Sequence, residues 1–216
     1  MDDEIGTRLR ALEERLKEFE DRQAIHDALM RYCRGVDRAD GNLIASAFHP
    51  DAIADHGMIV FTGENIGPAL TKIENAVAGN MHFVGNELIE IEGDVAFAEF
   101  YFISFSEIER QGETLMIWRG ARYVDRWEKR DGVWKISYRI VPGGWNRVDP
   151  VLERIPNAHK LHKSFHSHED AVYRIRNAQV GELGRERDVD DKDAASTFLR
   201  SLTDVGMEPV RPQSTK

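Results

Sequence analysis

The sequence predicts an α+β fold, in which helices come first and a meander of antiparallel strands follows. In the opening part of the chain, apolar residues recur at every third or fourth position, as on helices that bury one face. From residue 81 to residue 145 the period shortens to two, and aromatic and β-branched residues become frequent, which is typical of half-buried strands. Glycine, which supplies the left-handed backbone of a tight hairpin, stands in each break of the meander, at residues 92–94, 110–112 and 130–132.

The helical part begins with an apolar stripe on an otherwise charged segment, formed by Ile5, Leu9, Leu12, Leu16 and Phe19. Their alternating steps of four and three make one face of a helix and also a short heptad seam. Two interpretations are open: the stripe packs on its own domain, or it contacts another subunit. The helical pattern continues to Val36 and stops at the turn signal Asp40-Gly41.

Shorter elements are expected before the meander. A helix over residues 42–48 is closed by His49-Pro50, a strand covers residues 51–60, and a third helix covers residues 64–78. The meander itself is predicted as four long strands, over residues 81–90, 95–109, 113–128 and 133–145.

Charge and composition exclude several classes of partner. The 216 residues carry a net charge of -9, and such an acidic surface repels nucleic acid and anionic membranes. The first residues have no apolar run, and no stretch approaches the ~18 apolar residues of a membrane span, so we expect a cytoplasmic protein. The single cysteine, Cys33, excludes a disulfide within the chain and is predicted to be a buried structural thiol.

Over residues 20–142 the chain resembles the SnoaL-like family. The family's opening helix and first turn resemble DRQAIHDALMRYCRGVDRADGNLIASAFHPDAIADHG, where the matching residues are Tyr32, Asp37, Asp40, Phe48, Asp51 and Ala52. The stretch MHFVGN is similar to the family's strand-opening histidine motif, and WRGARYVDRWEKRDGVWKI is similar to its final hairpin.

The resemblance implies an NTF2-like cone, in which helices and a strongly curved, mostly antiparallel sheet enclose a pocket. Relatives include scytalone dehydratase, hexachlorocyclohexane dehydrochlorinase, and γ-formaldehyde lyases acting on lignin-derived aromatic dimers. In the first two of these lyases an Asp of the first helix and a His of the sheet form a catalytic dyad, which Asp37 and His82 match. A second histidine of scytalone dehydratase falls near Glu99 in this chain.

The implied domains are a helical extension (1–20), the SnoaL-like domain (21–145), an ordered extension (146–184) and a polar tail (185–216). A short helix is predicted within the tail, over residues 190–202. The extension after residue 145 is longer than the minimal fold requires.

Histidine titrates near neutral pH, so His82 suits a proton acceptor, and a carboxylate such as Asp37 would fix its tautomer. The alternative is a surface turn at Asp37 and a satisfied core histidine at position 82. Further side chains are expected to contact substrate, namely Tyr32, Asn86, Glu99, Tyr101, Trp118, Arg122 and Arg139. A pocket-facing Glu99 would serve as an acid, whereas the alternative is that it faces out of the sheet.

Metal and cofactor sites are not expected. His159, His162, His166 and His168 mix helix and strand spacings, which matches no known zinc pattern. The sequence contains no glycine-rich phosphate loop, dinucleotide fingerprint or nucleophile elbow.

Three functions fit these observations. The first is a cofactor-independent lyase that releases water, halide or formaldehyde from a small apolar, aromatic substrate. The second is an isomerase or cyclase with the same base, and the third is a non-catalytic ligand-binding or assembly subunit resembling the β subunits of ring-hydroxylating dioxygenases. The sequence favours the lyase, and the family trend and the apolar stripe favour a homo-oligomer, either trimer or dimer.

Overall fold

The computed structural model describes residues 2–151, 165, 167 and 169–177. The chain divides into two compact units, Met1–Pro150 and Val151–Lys216. In the second unit the described helix is α4 (Ala171–Asn177), which is preceded by a turn. There the Asp170 carboxylate accepts hydrogen bonds from the backbone N–H groups of Phe165 and Val172.

Helix α1 (Asp2–Asp37) is continuous, but its two halves differ: the second half buries one face, and the first half is exposed. The second half packs on the sheet through Ile25, Leu29 and Tyr32, each at most 2% exposed, whereas the five stripe residues are 53–65% exposed. Ile25 stands six positions after Phe19, which places it about 240° further around the helix, so the stripe points roughly away from the packing face. Among the described residues, packing of the stripe on its own domain, one of the two predicted alternatives, is therefore not observed.

Helix α2 (Gly41–Ser46) is shorter than predicted at its C-terminal end. It begins at Asp40, whose side chain accepts hydrogen bonds from two backbone N–H groups of the first turn. Residue Phe48 leaves the helix because it pairs with Ile136 of a distant strand. The predicted stop at His49-Pro50 is wrong, since both lie within β1 (Phe48–Asp55), where the pairing register is broken and proline is tolerated.

The predicted strand over residues 51–60 is also wrong, because two antiparallel strands, β1 and β2 (Val60–Thr62), share this region. The turn between them includes Gly57, which has a φ of +80°. Helix α3 (Ile66–Glu74) follows and is shorter than predicted at both ends. Its start is delayed because Thr62 and Asn65 exchange side chain–backbone hydrogen bonds that hold a turn.

The predicted meander is confirmed in its first three hairpins, which join β3 (Gly79–Glu92), β4 (Val95–Arg110), β5 (Glu113–Arg130) and β6 (Val133–Ile140). The connecting glycines, Gly93, Gly112 and Gly132, have φ values of 63°, 83° and 76°. The second and third turns place a further left-handed residue before the glycine, as a type I′ turn requires.

The predicted strand over residues 133–145 is two strands, because Pro142 cannot donate to a ladder and separates β6 from β7 (Gly143–Pro150). The order of the sheet is β2-β1-β6-β5-β4-β3, and β7 pairs with β5 as well. On one side β5 therefore pairs with β7 in its first half and with β6 in its second half. The sheet forks at this point.

The predicted α+β class is confirmed: the sheet is curved, open and antiparallel except for the β1–β6 pair, and helices cover one face. Alternate residues of β4, including Phe100 and Phe102, point to the covered face and are buried. Tyr32 of α1 contacts the rings of Phe48 and Tyr123 there, so the core lies between α1 and the sheet.

The predicted domain boundaries stay predictions; α1 continues through residue 20, and β7 ends only at residue 150. The four-histidine segment of residues 159–168 and the predicted helix over residues 190–202 lie outside the described residues. Within the described part of the chain, no helix has the length and apolar character to cross a membrane.

Candidate active site

The structure brings Asp37 and His82 into direct contact, although 45 positions separate them. The ring Nδ1 of His82 lies 2.6 Å from Oδ1 of Asp37, and the backbone N–H of His82 donates to Oδ2 at 3.1 Å. The Asp37 side chain is 13% exposed, and the His82 side chain is 9% exposed. Because the carboxylate holds Nδ1, it is Nε2 of His82 that remains for a ligand.

The end of α1 sets the position of the carboxylate. Ala39 adopts a left-handed φ of 51°, and the N–H groups of Asp40 and Ala39 donate to the carbonyls of Gly35 and Val36. This is the pattern of a Schellman motif, which ends a helix in a defined direction. Asp37, the last helical residue, is thereby aimed at β3.

A cavity of about 760 Å³ lies beside the pair and is bordered by His82. Its apolar wall includes Phe102, whose ring stacks on Tyr123 at 4.2 Å and lies 5.7 Å from the His82 ring. Tyr32, predicted as a substrate contact, borders the same space. A cavity of this size and lining suits a small, largely apolar molecule.

His56 is a cavity residue that sequence reasoning missed. Its ring packs edge-on against Phe61 at 5.2 Å, and its Nε2 is buried without a hydrogen-bond partner in the described structure. Burial, together with the charges of Arg139 and His82 and against the opposing charge of Asp55, lowers the pKa of His56 to about 4. His56 is therefore neutral at pH 7. The only sequence signal is a histidine beside Gly57 in a turn, and its burial depends on tertiary packing.

A second, polar wall was missed as well. Asn80 donates to Glu74 at 2.7 Å and accepts from Ser106 at 3.1 Å, and Ser106 in turn accepts from Arg119 at 3.1 Å. Asn80, Glu74 and Arg119 border the cavity. The chain of hydrogen bonds fixes the amide and the guanidinium on one side of the cavity.

Arg139, predicted as a substrate contact, is instead a core residue. Its guanidinium is fully buried and donates to both carboxylate oxygens of Asp125, at 2.7 and 2.6 Å. It lies 4.5 Å from the ring centre of Tyr32 and 4.0 Å from that of Tyr123. Burial raises the pKa of both tyrosine hydroxyls above the usual value of 10. Arg139 therefore supports the aromatic wall from behind.

The substrate contacts predicted on β4 and β5 do not border the cavity beside Asp37 and His82. Glu99 and Tyr101 alternate with the buried residues of β4 and lie on the uncovered face, so Glu99 cannot assist His82. Glu99 instead pairs with Arg122, whose guanidinium lies over Tyr101 at 5.7 Å. Trp118 packs edge-on against Phe105 at 4.6 Å.

Asn86 was expected on the face of His82 but is displaced by a bulge. It has a φ of 47°, and the register of β3 shifts between Gly85 and Glu87. Asn86 borders a second cavity of about 530 Å³, together with Tyr101 and Arg122. The structure thus assembles Tyr32 with the dyad and separates the other predicted contacts from it.

Comparison with known proteins places the fold. A family model described as a SnoaL-like domain matches residues 17–140. Among solved structures, a type 2 hexachlorocyclohexane dehydrochlorinase (LinA) is 21% identical, with a TM-score of 0.59 over 66% of this chain and 98% of that one. The type 3 LinA of Novosphingobium barchaimii LL02 is 22% identical, with a TM-score of 0.56 over 64% and 95%.

A candidate scytalone dehydratase from Novosphingobium aromaticivorans DSM 12444 is 17% identical, with a TM-score of 0.54 over 60% of this chain and 88% of that one. At these identities the similarity is one of fold. No curated protein matches the chain in sequence.

Proposed function

The chain belongs to the SnoaL-like domain family, and on this basis we propose that it is a lyase that removes a proton from a small, apolar, aromatic substrate. The observation that carries the proposal is the 2.6 Å hydrogen bond between Asp37 and His82 at the wall of a mostly apolar cavity. Histidine has a basicity suited to proton transfer near neutral pH, and a buried carboxylate partner makes the pair a base rather than a surface turn.

In the proposed reaction, Nε2 of His82 accepts a proton from substrate carbon. The electron pair of that C–H bond forms a carbon–carbon double bond, and the leaving group departs from the adjacent carbon with its own bonding pair. Halide leaves as the anion, and hydroxide leaves as water after it gains a proton. In the formaldehyde variant, His82 takes a hydroxyl proton, and the O–H electron pair forms the C=O bond of formaldehyde as the neighbouring C–C bond breaks. The C–C electron pair stays on the aromatic fragment and forms a C–H bond with the proton that the His82 imidazolium returns.

Asp37 and His82 have unequal roles in this proposal. Asp37 holds the proton on Nδ1, so that the lone pair of Nε2 faces the cavity, and its negative charge stabilises the imidazolium once the proton has moved. The second bond, from the His82 backbone to Asp37, keeps the carboxylate in place during the transfer. Positioned general bases typically contribute about 10²–10⁴-fold to the rate.

The cavity supports an aromatic substrate with one polar substituent. The stacked pair Phe102 and Tyr123 offers an apolar wall for a ring, and Asn80 and Arg119 offer a donor and a positive charge on the polar wall. His56 also borders the cavity, and because it is neutral at pH 7 it adds no charge to the binding space.

Three probe reactions test the proposal: two follow the names of structural neighbours, and the third follows the formaldehyde lyases that the sequence resembles. The measurements are chloride release from hexachlorocyclohexane, dehydration of scytalone, and formaldehyde release from a lignin-derived aromatic dimer. For a reaction that the protein catalyses, we expect His82→Ala to lower kcat/KM by about 10³-fold or more, and Asp37→Asn by about 10²-fold or more. Glu99→Gln, on the opposite face of the sheet, is the matched control and should change kcat/KM less than about twofold.

Circular dichroism must show that each variant is folded. A folded His82→Ala variant with full turnover would disprove the proposal. An isomerase is recognised by turnover in D₂O, where solvent deuterium would enter a product whose composition is otherwise that of the substrate. That result would retain His82 as the base but replace elimination by isomerisation.

A further inference from the structure

We propose that the first half of α1 forms a parallel, in-register coiled coil with the same segment of a second copy of this chain. The contact surface is here called the N-terminal seam and consists of Ile5, Leu9, Leu12, Leu16 and Phe19. This inference is independent of the proposed lyase activity.

The seam is exposed and lies on the far side of α1. Its residues are 53–65% exposed, although they form a continuous apolar stripe of the kind that monomers seldom leave in water. Because the packing face of α1 begins out of phase with the stripe, the rest of the first unit does not block a partner helix. An unpartnered helix face with heptad spacing fits a second helix.

The charges beside the seam identify that helix as a parallel copy. With Leu9 and Leu16 at a positions, Arg8 and Arg15 occupy g positions, and Glu13 and Glu20 occupy e positions. In a parallel pair each g residue faces the e residue five positions later in its partner, so both arginines meet glutamates. In an antiparallel pair arginine would face arginine. None of these four side chains makes a hydrogen bond or ion pair within the described part of the chain.

The seam ends where the helix joins the sheet. Arg22, the next g residue, donates to Glu18 and to the carbonyl of Ile89 at 2.6 Å, and the next a position is the polar Gln23. The seam therefore spans about 22 Å from residue 5 to residue 19. Such a short coiled coil is marginal as a free peptide, but here the helix continues into a packed half that removes the cost of nucleation.

Disulfide trapping of the full-length protein tests both the partner and its orientation. Ile5→Cys places two thiols side by side in a parallel pair, but about 20 Å apart in an antiparallel one. The native thiol of Cys33 does not interfere, because it is buried and burial raises its pKa to about 12. Thr7→Cys, on the outer side of the helix, is the matched control.

We expect mild oxidation to convert Ile5→Cys to a covalent dimer and to leave Thr7→Cys mainly monomeric on a non-reducing gel. Equal cross-linking of the two variants, or none in either, overturns the proposal. The same trapping in an Ile5→Cys chain that also carries Leu9→Glu and Leu16→Glu should fail.

Sedimentation equilibrium tests the charges. The Arg8→Glu, Arg15→Glu chain brings four like charges to each side of the pair and should raise the dissociation constant at least about tenfold. Mixing it with the Glu13→Arg, Glu20→Arg chain should restore association as a mixed species. The Arg10→Glu, Arg31→Glu chain, in which two exposed arginines off the seam are replaced, has the same net charge and is the control. An equal effect of that variant would refute the role assigned to the flanking charges.

Discussion

Replacing His56 with phenylalanine measures how much the free energy of unfolding depends on keeping a neutral imidazole in the cavity at acidic pH. Burial lowers the pKa of His56 from its ordinary 6.5 to about 4. Between these values the unfolded chain binds a proton at this site and the native protein does not. Native stability must therefore fall as the pH falls from about 6.5 to about 4, and His56→Phe removes this loss.

The size of the effect follows from the two pKa values. The difference between 6.5 and about 4 corresponds to about 3 kcal/mol when the whole window is crossed, and to about 2 kcal/mol at pH 5. These are upper bounds, because the ring is only partly buried. Near pH 8 the substitution should be neutral or mildly stabilising, since it removes a buried nitrogen that has no partner.

Urea unfolding at pH 5 and pH 8 provides the measurement. Wild type should lose more free energy of unfolding than His56→Phe between the two pH values, by up to about 2 kcal/mol. His26→Gln is the matched control, because it removes a histidine hydrogen-bonded to Glu87 on the surface and retains His56. If wild type and His56→Phe lose the same free energy on acidification, the neutral, buried state of His56 is refuted.

Three further substitutions test contacts in the structure that surrounds the candidate site. Burial opposes ionisation of Asp21, but hydrogen bonds from two lysines and an indole lower its pKa to about 2. Asp21→Asn should therefore lower the free energy of unfolding by about 2 kcal/mol at pH 7, measured in urea, and the difference between variant and wild type should vanish as the pH falls from 4 to 2. Gly120→Val should cost about 1–3 kcal/mol and change the near-ultraviolet circular dichroism, because a Cβ at Gly120 would overlap the ring of Trp145. Arg139→Leu should lower the free energy of unfolding by about 3–5 kcal/mol, because it leaves Asp125 buried and unpaired. Asp125→Leu in the same chain should recover much of this loss. An unchanged midpoint of urea unfolding for the single variant would contradict the pairing.

The hairpins of the meander could be predicted because their signals are local. The turns at Gly93, Gly112 and Gly132 have a left-handed backbone, which favours glycine. The alternation of apolar and polar residues marks the strands between these turns. The split between β6 and β7 was missed, although Pro142 stands in it, because the aromatic residues on both sides gave one continuous apolar pattern. Strand pairing, which decides where a strand ends, is a tertiary property.

The site shows the same limit. The pairing of Asp37 with His82 came from the family resemblance and not from spacing, since no local rule joins residues so far apart. Alternation puts Glu99 and its neighbours on opposite faces of β4, but the sequence does not indicate which of the two sets faces the helices, so both facings of Glu99 stayed open. His56 and Arg119 were missed because a histidine in a turn and an arginine in a strand carry no signal of what packs over them.

The forked sheet constrains the two ends of the cavity unequally. The second half of β5 is held between β4 and β6, but its first half shares the cavity border with β7, which is exposed along almost its whole length. Trp145 on β7 borders both cavities. Replacements in this strand would reshape the cavity and leave the hydrogen bond between Asp37 and His82 intact. The shape of the cavity can therefore vary through one weakly supported strand, while the contact beneath it between α1 and β3 stays fixed.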